Sequence, residues 1–115
     1  QPFMTQVNMY GEDGSSSGFH AHVDDGVMIN VINAEAYHTA SRRIGKLLPS
    51  THVLRMADGS LVPSLGVWSG EVKWRTARTV VTFEVFPSGG SWKVLIGKPL
   101  LQQLRAVHDY ANDII

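Results

Sequence analysis

The chain contains no cysteine. Disulfide scaffolds, thiolate metal ligands and thiol nucleophiles are therefore excluded. A cysteine-free chain fits a reducing compartment, and a cytoplasmic, intracellular location is the expectation. Excess charge is also missing: ten Lys and Arg balance ten Asp and Glu, for a formal net charge of zero. Such a chain has no long-range field with which to grip a polyanion or an anionic bilayer, so neither nucleic acid nor membrane is an expected partner. No apolar run approaches the roughly 20 residues that cross a bilayer, and no charged–apolar–small leader pattern opens the sequence. The 115 residues suit one domain, 1–115, with a real core but little room for a second lobe. Beginning at Gln1, the sequence reads as a domain cut from a longer polyprotein.

What is present is mostly strand. Residues 4–10 read as a short strand, the polar stretch 11–18 as a hairpin connection, and residues 19–23 as the returning strand. Asp24-Asp25-Gly26 interrupts with turn chemistry, and residues 27–32 form an apolar run broken by Asn30. A helix is predicted next. Asn33 is its N-cap, Ala36, Tyr37, Ala40 and Ile44 form one apolar stripe, and Gly45 ends it. Residues 51–56 read as a strand, followed by a tight turn at Ala57-Asp58-Gly59-Ser60 carrying the Asp-Gly hairpin signal. Residues 61–74 form a long extended stretch broken by glycine, and residues 79–86 are rich in β-branched and aromatic side chains. Pro87-Ser88-Gly89-Gly90 turns the chain into a last strand over residues 92–96. A second helix starts at Gly97-Lys98-Pro99, with Pro99 in the first turn, where a missing N–H costs nothing. Leu100, Leu101 and Leu104 form its inward stripe, and residues 106–115 follow as a tail whose apolar end, Ile114-Ile115, needs cover.

Two segments carry the chemistry. The first is His22-Val23-Asp24-Asp25-Gly26, a strand running into an acidic turn. The second, about seventy residues later, is Val94-Leu95-Ile96-Gly97-Lys98-Pro99-Leu100-Leu101, an apolar strand meeting a glycine and then a helix. An isolated Asp-x-Gly carries no information. The pair, in this order and spacing, resembles the retropepsin-like aspartic proteases, and most closely those of gypsy-class retrotransposons and their domesticated relatives. The resemblance extends over nearly the whole chain. Asn30, Ile32 and the following helix look like the region after the catalytic loop, residues 54–63 look like the flap hairpin, and Phe83-Glu84-Val85-Phe86-Pro87 looks like the strand before the last hairpin.

The resemblance implies a mainly β closed barrel of the acid-protease type, with a ψ-shaped active-site loop, a flap hairpin and two short helices, one lobe per chain. It implies Asp24 as the catalytic carboxylate, with Asp25, Gly26 and Gly97 in the active-site loop. Ala57, Asp58, Gly59, Ser60 and Leu61 would form the substrate-binding flap. Peptide hydrolysis needs a base for water and an acid for the departing amide. Two carboxylates about 3 Å apart cannot both ionise, so they share a proton and serve as both, which is the familiar logic of the aspartic-protease dyad. One motif per chain means that the second Asp24 comes from a second copy across a two-fold axis. The expected partners are thus the chain itself, as a symmetric homodimer, and an extended polypeptide substrate. No cofactor and no metal are called for.

The sequence departs from the pattern at Asp25, where the family carries Thr or Ser, and less seriously at Val27, where the family usually has Ala. A hydroxyl both donates and accepts hydrogen bonds, whereas an ionised carboxylate only accepts. Two Asp24 and two Asp25 would crowd four carboxylates near the axis. This admits a second reading, a catalytically silent dimerisation or peptide-binding domain. His20, His22 and Asp24 alternate along one strand face. Their His-x-His-x-Asp spacing resembles a metallo-hydrolase run but lacks its further ligands, and partly exposed strand histidines are the simpler account. Trp68, Trp74 and Trp92 read as core or interface packing, Gly89-Gly90 as a turn, and Lys98 as a structural residue available for an ion pair.

Overall fold

The computed structural model describes residues 3–87 and 93–113, with side chains described over residues 4–87 and 93–106. Eight strands and two helices follow in the order β1 (Phe3–Tyr10), β2 (Ser16–Val23), β3 (Val31–Asn33), α1 (Ala34–Ile44), β4 (Val53–Arg55), β5 (Leu61–Pro63), β6 (Gly66–Trp74), β7 (Ala77–Phe86), β8 (Val94–Ile96) and α2 (Lys98–Asp113). Six strands close a barrel in the order β1-β2-β8-β3-β7-β6, and β4 and β5 form a separate two-stranded sheet. The mainly β closed barrel with two helices expected from the sequence is the fold observed.

Closure comes from β1, which pairs along its whole length with β2 and then meets β6 at Asn8↔Lys73 and Met9↔Val72. Alternation along each strand fills the interior. Val7 and Met9, Phe19, Ala21 and Val23, Trp68, Val72 and Trp74, and Val81, Phe83 and Val85 are all buried, as period-2 patterning requires. Both described tryptophans belong to this packing: the Trp68 indole donates to the Ile44 carbonyl at 2.7 Å and the Trp74 indole to the Thr5 hydroxyl at 2.8 Å. Trp92, Gly89-Gly90 and Ile114-Ile115 lie outside the described residues.

The first hairpin is tighter than its composition suggests. Gly11 donates to Ser15 and Gly14, at φ +87°, donates back to Gly11, so Ser16, Ser17 and Gly18 pair with β1 as strand residues. Strand pairing overrides their weak β-propensity. Residues 61–74 divide into two strands at Gly66, where φ is +151° and a Cβ would meet Leu47 Cβ at 2.8 Å. Only Val31 to Asn33 of the 27–32 apolar run and its neighbour are paired as strand; residues 27–30 leave the sheet to build the loop described below.

Helix α1 forms as read. The Asn33 side chain accepts from the Glu35 and Ala36 amides at 2.8 and 3.3 Å, and Gly45 caps the other end at φ +100°. Tyr37, Ala40 and Ile44 face the core. The Tyr37 hydroxyl donates to the Gly45 carbonyl at 2.8 Å, and burial raises its pKa above the ordinary tyrosine value. Helix α2 buries Leu100, Leu101 and Leu104 and packs on β7. It continues to Asp113, through most of the stretch read as a tail, because nothing in residues 106–113 breaks a helix. Lys98 is exposed and forms no ion pair among the described residues. No described helix is long and apolar enough to cross a membrane.

Asn33 is both the last residue of β3 and the α1 N-cap, so Asn33→Ala should destabilise the domain by at least about 1 kcal/mol. Asn33→Ser, which keeps an accepting oxygen, should recover much of that loss. Chemical denaturation of the three proteins makes the comparison.

Candidate active site

The barrel owes its shape at this end to one strand arrangement. β2 and β3 follow one another in sequence but are not neighbours; β8 runs between them, parallel to β2 (Ala21↔Val94, His22↔Leu95, Val23↔Ile96) and antiparallel to β3 (Val31↔Leu95, Ile32↔Val94). The chain leaving β2 must therefore arch over the end of β8 before returning as β3. Asp24, Asp25, Gly26 and residues 27–30 are that arch, and Gly97 is the residue beneath it.

Each part of the arch is tied down. The Asp24 amide donates to the Ile96 carbonyl at 3.0 Å, and the Val27 amide donates to the Asp24 carbonyl at 3.2 Å, closing a four-residue turn. Within the turn the Gly26 amide donates to Asp24 Oδ1 at 2.9 Å. Asp24 is half-buried, whereas Asp25 and Gly26 are exposed. Gly26 does not occupy the left-handed region. A Cβ there would meet Asp24 Oδ1 at 3.2 Å, so its smallness spares the Asp24 carboxylate rather than making the turn possible. Gly97 is different. A Cβ on it would lie 2.3 Å from the Ile29 carbonyl oxygen and 2.7 Å from that of Val27, distances that no side chain tolerates. The Lys98 amide then donates to the Val27 carbonyl at 2.8 Å, which joins the arch to the start of α2.

Asn30 completes the loop, and its role was not legible beforehand. Its Oδ1 accepts the Gly97 amide at 3.0 Å, its Nδ2 donates to the Thr82 carbonyl at 3.2 Å, and its own carbonyl accepts the Glu84 amide at 2.9 Å. One side chain thus connects the arch, the β8–α2 corner and β7. The available signal was a lone amide inside an otherwise apolar run, which reads equally well as a strand interruption.

The Ala57, Asp58, Gly59, Ser60 and Leu61 segment forms the tip of the β4–β5 hairpin (Arg55↔Leu61). Only Gly59 takes positive φ, +87°. Its amide donates to the Met56 carbonyl and Met56 donates to the Ser60 carbonyl, a three-residue loop rather than the two-residue form that Asp-Gly most often signals. Asp58 Oδ1 accepts the Ser60 hydroxyl at 2.6 Å and amide at 2.9 Å, and these bonds hold its pKa below the ordinary carboxylate value. Val53, Met56 and Leu61 on the hairpin, Leu65 after it and Met28 on the arch are exposed, Met28 by 67%. His20 and His22 point away from the core on β2 as alternation predicts. Among the described residues no group of three or more His, Asp or Glu side chains is placed to hold a metal.

No protein-family model and no curated protein matches the sequence. Among solved structures, the chain is similar to the solution structure of Simian Foamy Virus (mac) protease, with 18% sequence identity, 90% of this chain and 97% of that chain covered, and a TM-score of 0.49.

The two loop glycines should respond differently to the same change. Gly97→Ala should cost on the order of 3 kcal/mol or prevent folding, because backbone atoms must move. Gly26→Ala should cost less than about 1 kcal/mol, since a side-chain oxygen need shift only slightly. Denaturant midpoints at neutral pH test the contrast.

Proposed function

We propose that this domain is an aspartic-type endopeptidase of the retropepsin kind, active as a symmetric homodimer. The observation that carries the reading is the arch. Asp24 sits at its start with its carboxylate oriented by the Gly26 amide, and Gly97 and Asn30 lock it from below. A carboxylate held on a rigid, half-buried turn is suited to orienting water, and rigidity at the reacting atoms is where much of a barrier reduction originates. One chain supplies one such carboxylate. In the proposed dimer the Asp24 pair shares a proton: one member takes the proton of the attacking water and the other protonates the leaving amide nitrogen. The β4–β5 hairpin acts as the flap. Its exposed apolar side chains, with Met28, cover an extended polypeptide, a polyprotein containing this domain being the natural substrate. No cofactor takes part, and the relation to gypsy-class retrotransposon proteases belongs to the same reading.

A second reading has its own observation. Asp25 is exposed beside Asp24 and cannot donate the hydrogen bond that a hydroxyl would. A domain that dimerises or binds peptide without cleaving it would carry the same arch and hairpin.

Asp24→Asn keeps the shape and removes the ionisable group. It should abolish peptide-library cleavage, by at least about a thousandfold, without altering the thermal midpoint by more than a few degrees. Cleavage surviving in this variant would remove Asp24 from the mechanism. Wild-type protein that cleaves nothing between pH 4 and 7 yet dimerises would favour the silent domain.

Asp25 generates a prediction about assembly. Bringing four carboxylates to a two-fold axis is relieved by proton uptake. The dimer, which binds more protons than two monomers, is then favoured at low pH and weakens as pH rises. The dimer dissociation constant from sedimentation should therefore increase from pH 4 to pH 8. Asp25→Thr should tighten the dimer at neutral pH and flatten that dependence. An unchanged constant and profile in Asp25→Thr would place Asp25 away from any axis.

A further inference from the structure

Glu84 is the one buried acidic side chain among the described residues, and no part of the proposed chemistry uses it. It lies on β7 between Val31 of β3 and Val67 of β6, so its neighbours across the sheet offer it no charge. A carboxylate in such a place is tolerated only when paired. Both of its partners come from the segment that leads into the β4–β5 hairpin. The Ser50 hydroxyl donates to Glu84 Oε1, and His52 Nδ1 lies 3.1 Å from Oε2. Ser50 Oγ also accepts the His52 amide at 3.1 Å, which makes the three residues one unit.

This unit stands where the hairpin joins the barrel. The His52 carbonyl accepts the Ser64 amide at 2.9 Å, and the Leu65 amide donates to the Val85 carbonyl at 2.8 Å. One foot of the hairpin thus rests on the Glu84 side chain and the other on the backbone of the next residue. The Glu84 amide, meanwhile, donates to the Asn30 carbonyl of the arch. His52 is 59% exposed while Glu84 is 9% exposed, so solvent protons reach the imidazole although the carboxylate is shielded. The charged groups nearest along the chain, Lys46, Arg55 and Asp58, are exposed and bond to neither member; Asp58 is engaged by Ser60.

We propose that Ser50, Glu84 and His52 form a pH-sensitive latch that holds the base of the β4–β5 hairpin against the barrel, making Glu84 and His52 positioning residues for the flap. The flap role rests on the function proposed above; the latch itself does not. With His52 protonated the contact is an ion pair to a shielded carboxylate. With His52 neutral it is at most a single hydrogen bond from Nδ1–H. The hairpin is therefore held more firmly when His52 is protonated than when it is neutral.

The test is amide hydrogen exchange of residues 53–65 in the intact chain from pH 5 to pH 8, corrected for intrinsic amide chemistry, with no substrate present. Wild-type protection should fall by about two- to fivefold over this range, as suits an ion pair with one exposed member. His52→Gln should show the low, pH-independent protection at every pH. His52→Lys, cationic throughout, should keep protection high to pH 8. Glu84→Gln, if it folds, should match His52→Gln; the exposed-residue variants decide the matter if it does not. A wild-type profile that is flat, or one that His52→Gln leaves intact, overturns the latch. Because this readout involves no cleavage, the latch can fail while Asp24-dependent proteolysis stands. It can equally hold in a domain that cleaves nothing.

Discussion

The arrangement at the candidate site depends on one side chain, Asn30. A strand that leaves the barrel, crosses over another and returns exposes backbone donors and acceptors that the sheet cannot satisfy, and buried unpaired groups of that kind are costly. The Asn30 side chain answers two of them, at Gly97 and Thr82, and its own carbonyl answers a third, at Glu84. An amide suits the position because it offers both a donor and an acceptor on one short stem. Fully satisfied polar networks in partly buried places specify a single geometry, whereas half-satisfied ones do not. The placement of Asp24 is a consequence: its amide is fixed to Ile96 and its carboxylate to Gly26 only because the arch is held in one path.

The same clasp links parts of the molecule that are far apart in sequence. Thr82 and Glu84 lie on β7, which carries the feet of the β4–β5 hairpin, and Gly97 opens α2, whose leucines pack on β7. A carboxylate turn, a projecting hairpin and a packing helix therefore share one strand as their support. The Asp24 turn is fixed by backbone bonds and close glycine contact, while the hairpin is anchored at its feet and presents exposed apolar side chains beyond them.

Asp25 and Glu84 show how differently a carboxylate behaves in two settings. Asp25 is exposed, and its charge is a solvated one within a single chain. It becomes a problem only if a second copy brings like charges near. Glu84 is enclosed by β3 and β6 and must find partners within its own chain, and it finds them in the segment that leads into the β4–β5 hairpin. In one case charge bears on association, and in the other it organises the fold.

Much of the architecture follows from local physics that the sequence states openly. The β-branched and aromatic run of residues 79–86, the Asn33 and Gly45 caps of α1 and the leucine stripe of α2 each draw on short-range preferences, and each appears where it was read. Asp24-Asp25-Gly26 and Ile96-Gly97 each read as a turn or break from local chemistry, and only the resemblance to a known family joined them as a pair. Other features needed the third dimension. Ser16 to Gly18 became strand only because β1 lay alongside, and residues 27–30 left the sheet only because β8 occupies the place beside β2. The importance of Asn30 and Glu84 was invisible for the same reason: their partners are 52 and 67 residues away from Asn30 and 34 residues away from Glu84, and no local preference encodes such distances. By itself the sequence determined the caps of α1, the inward stripe of α2, the strand character of residues 79–86 and the position of the Asp24-Asp25-Gly26 turn. Only the tertiary structure decided which polar groups would be buried together, because burial depends on what the rest of the chain brings to that point.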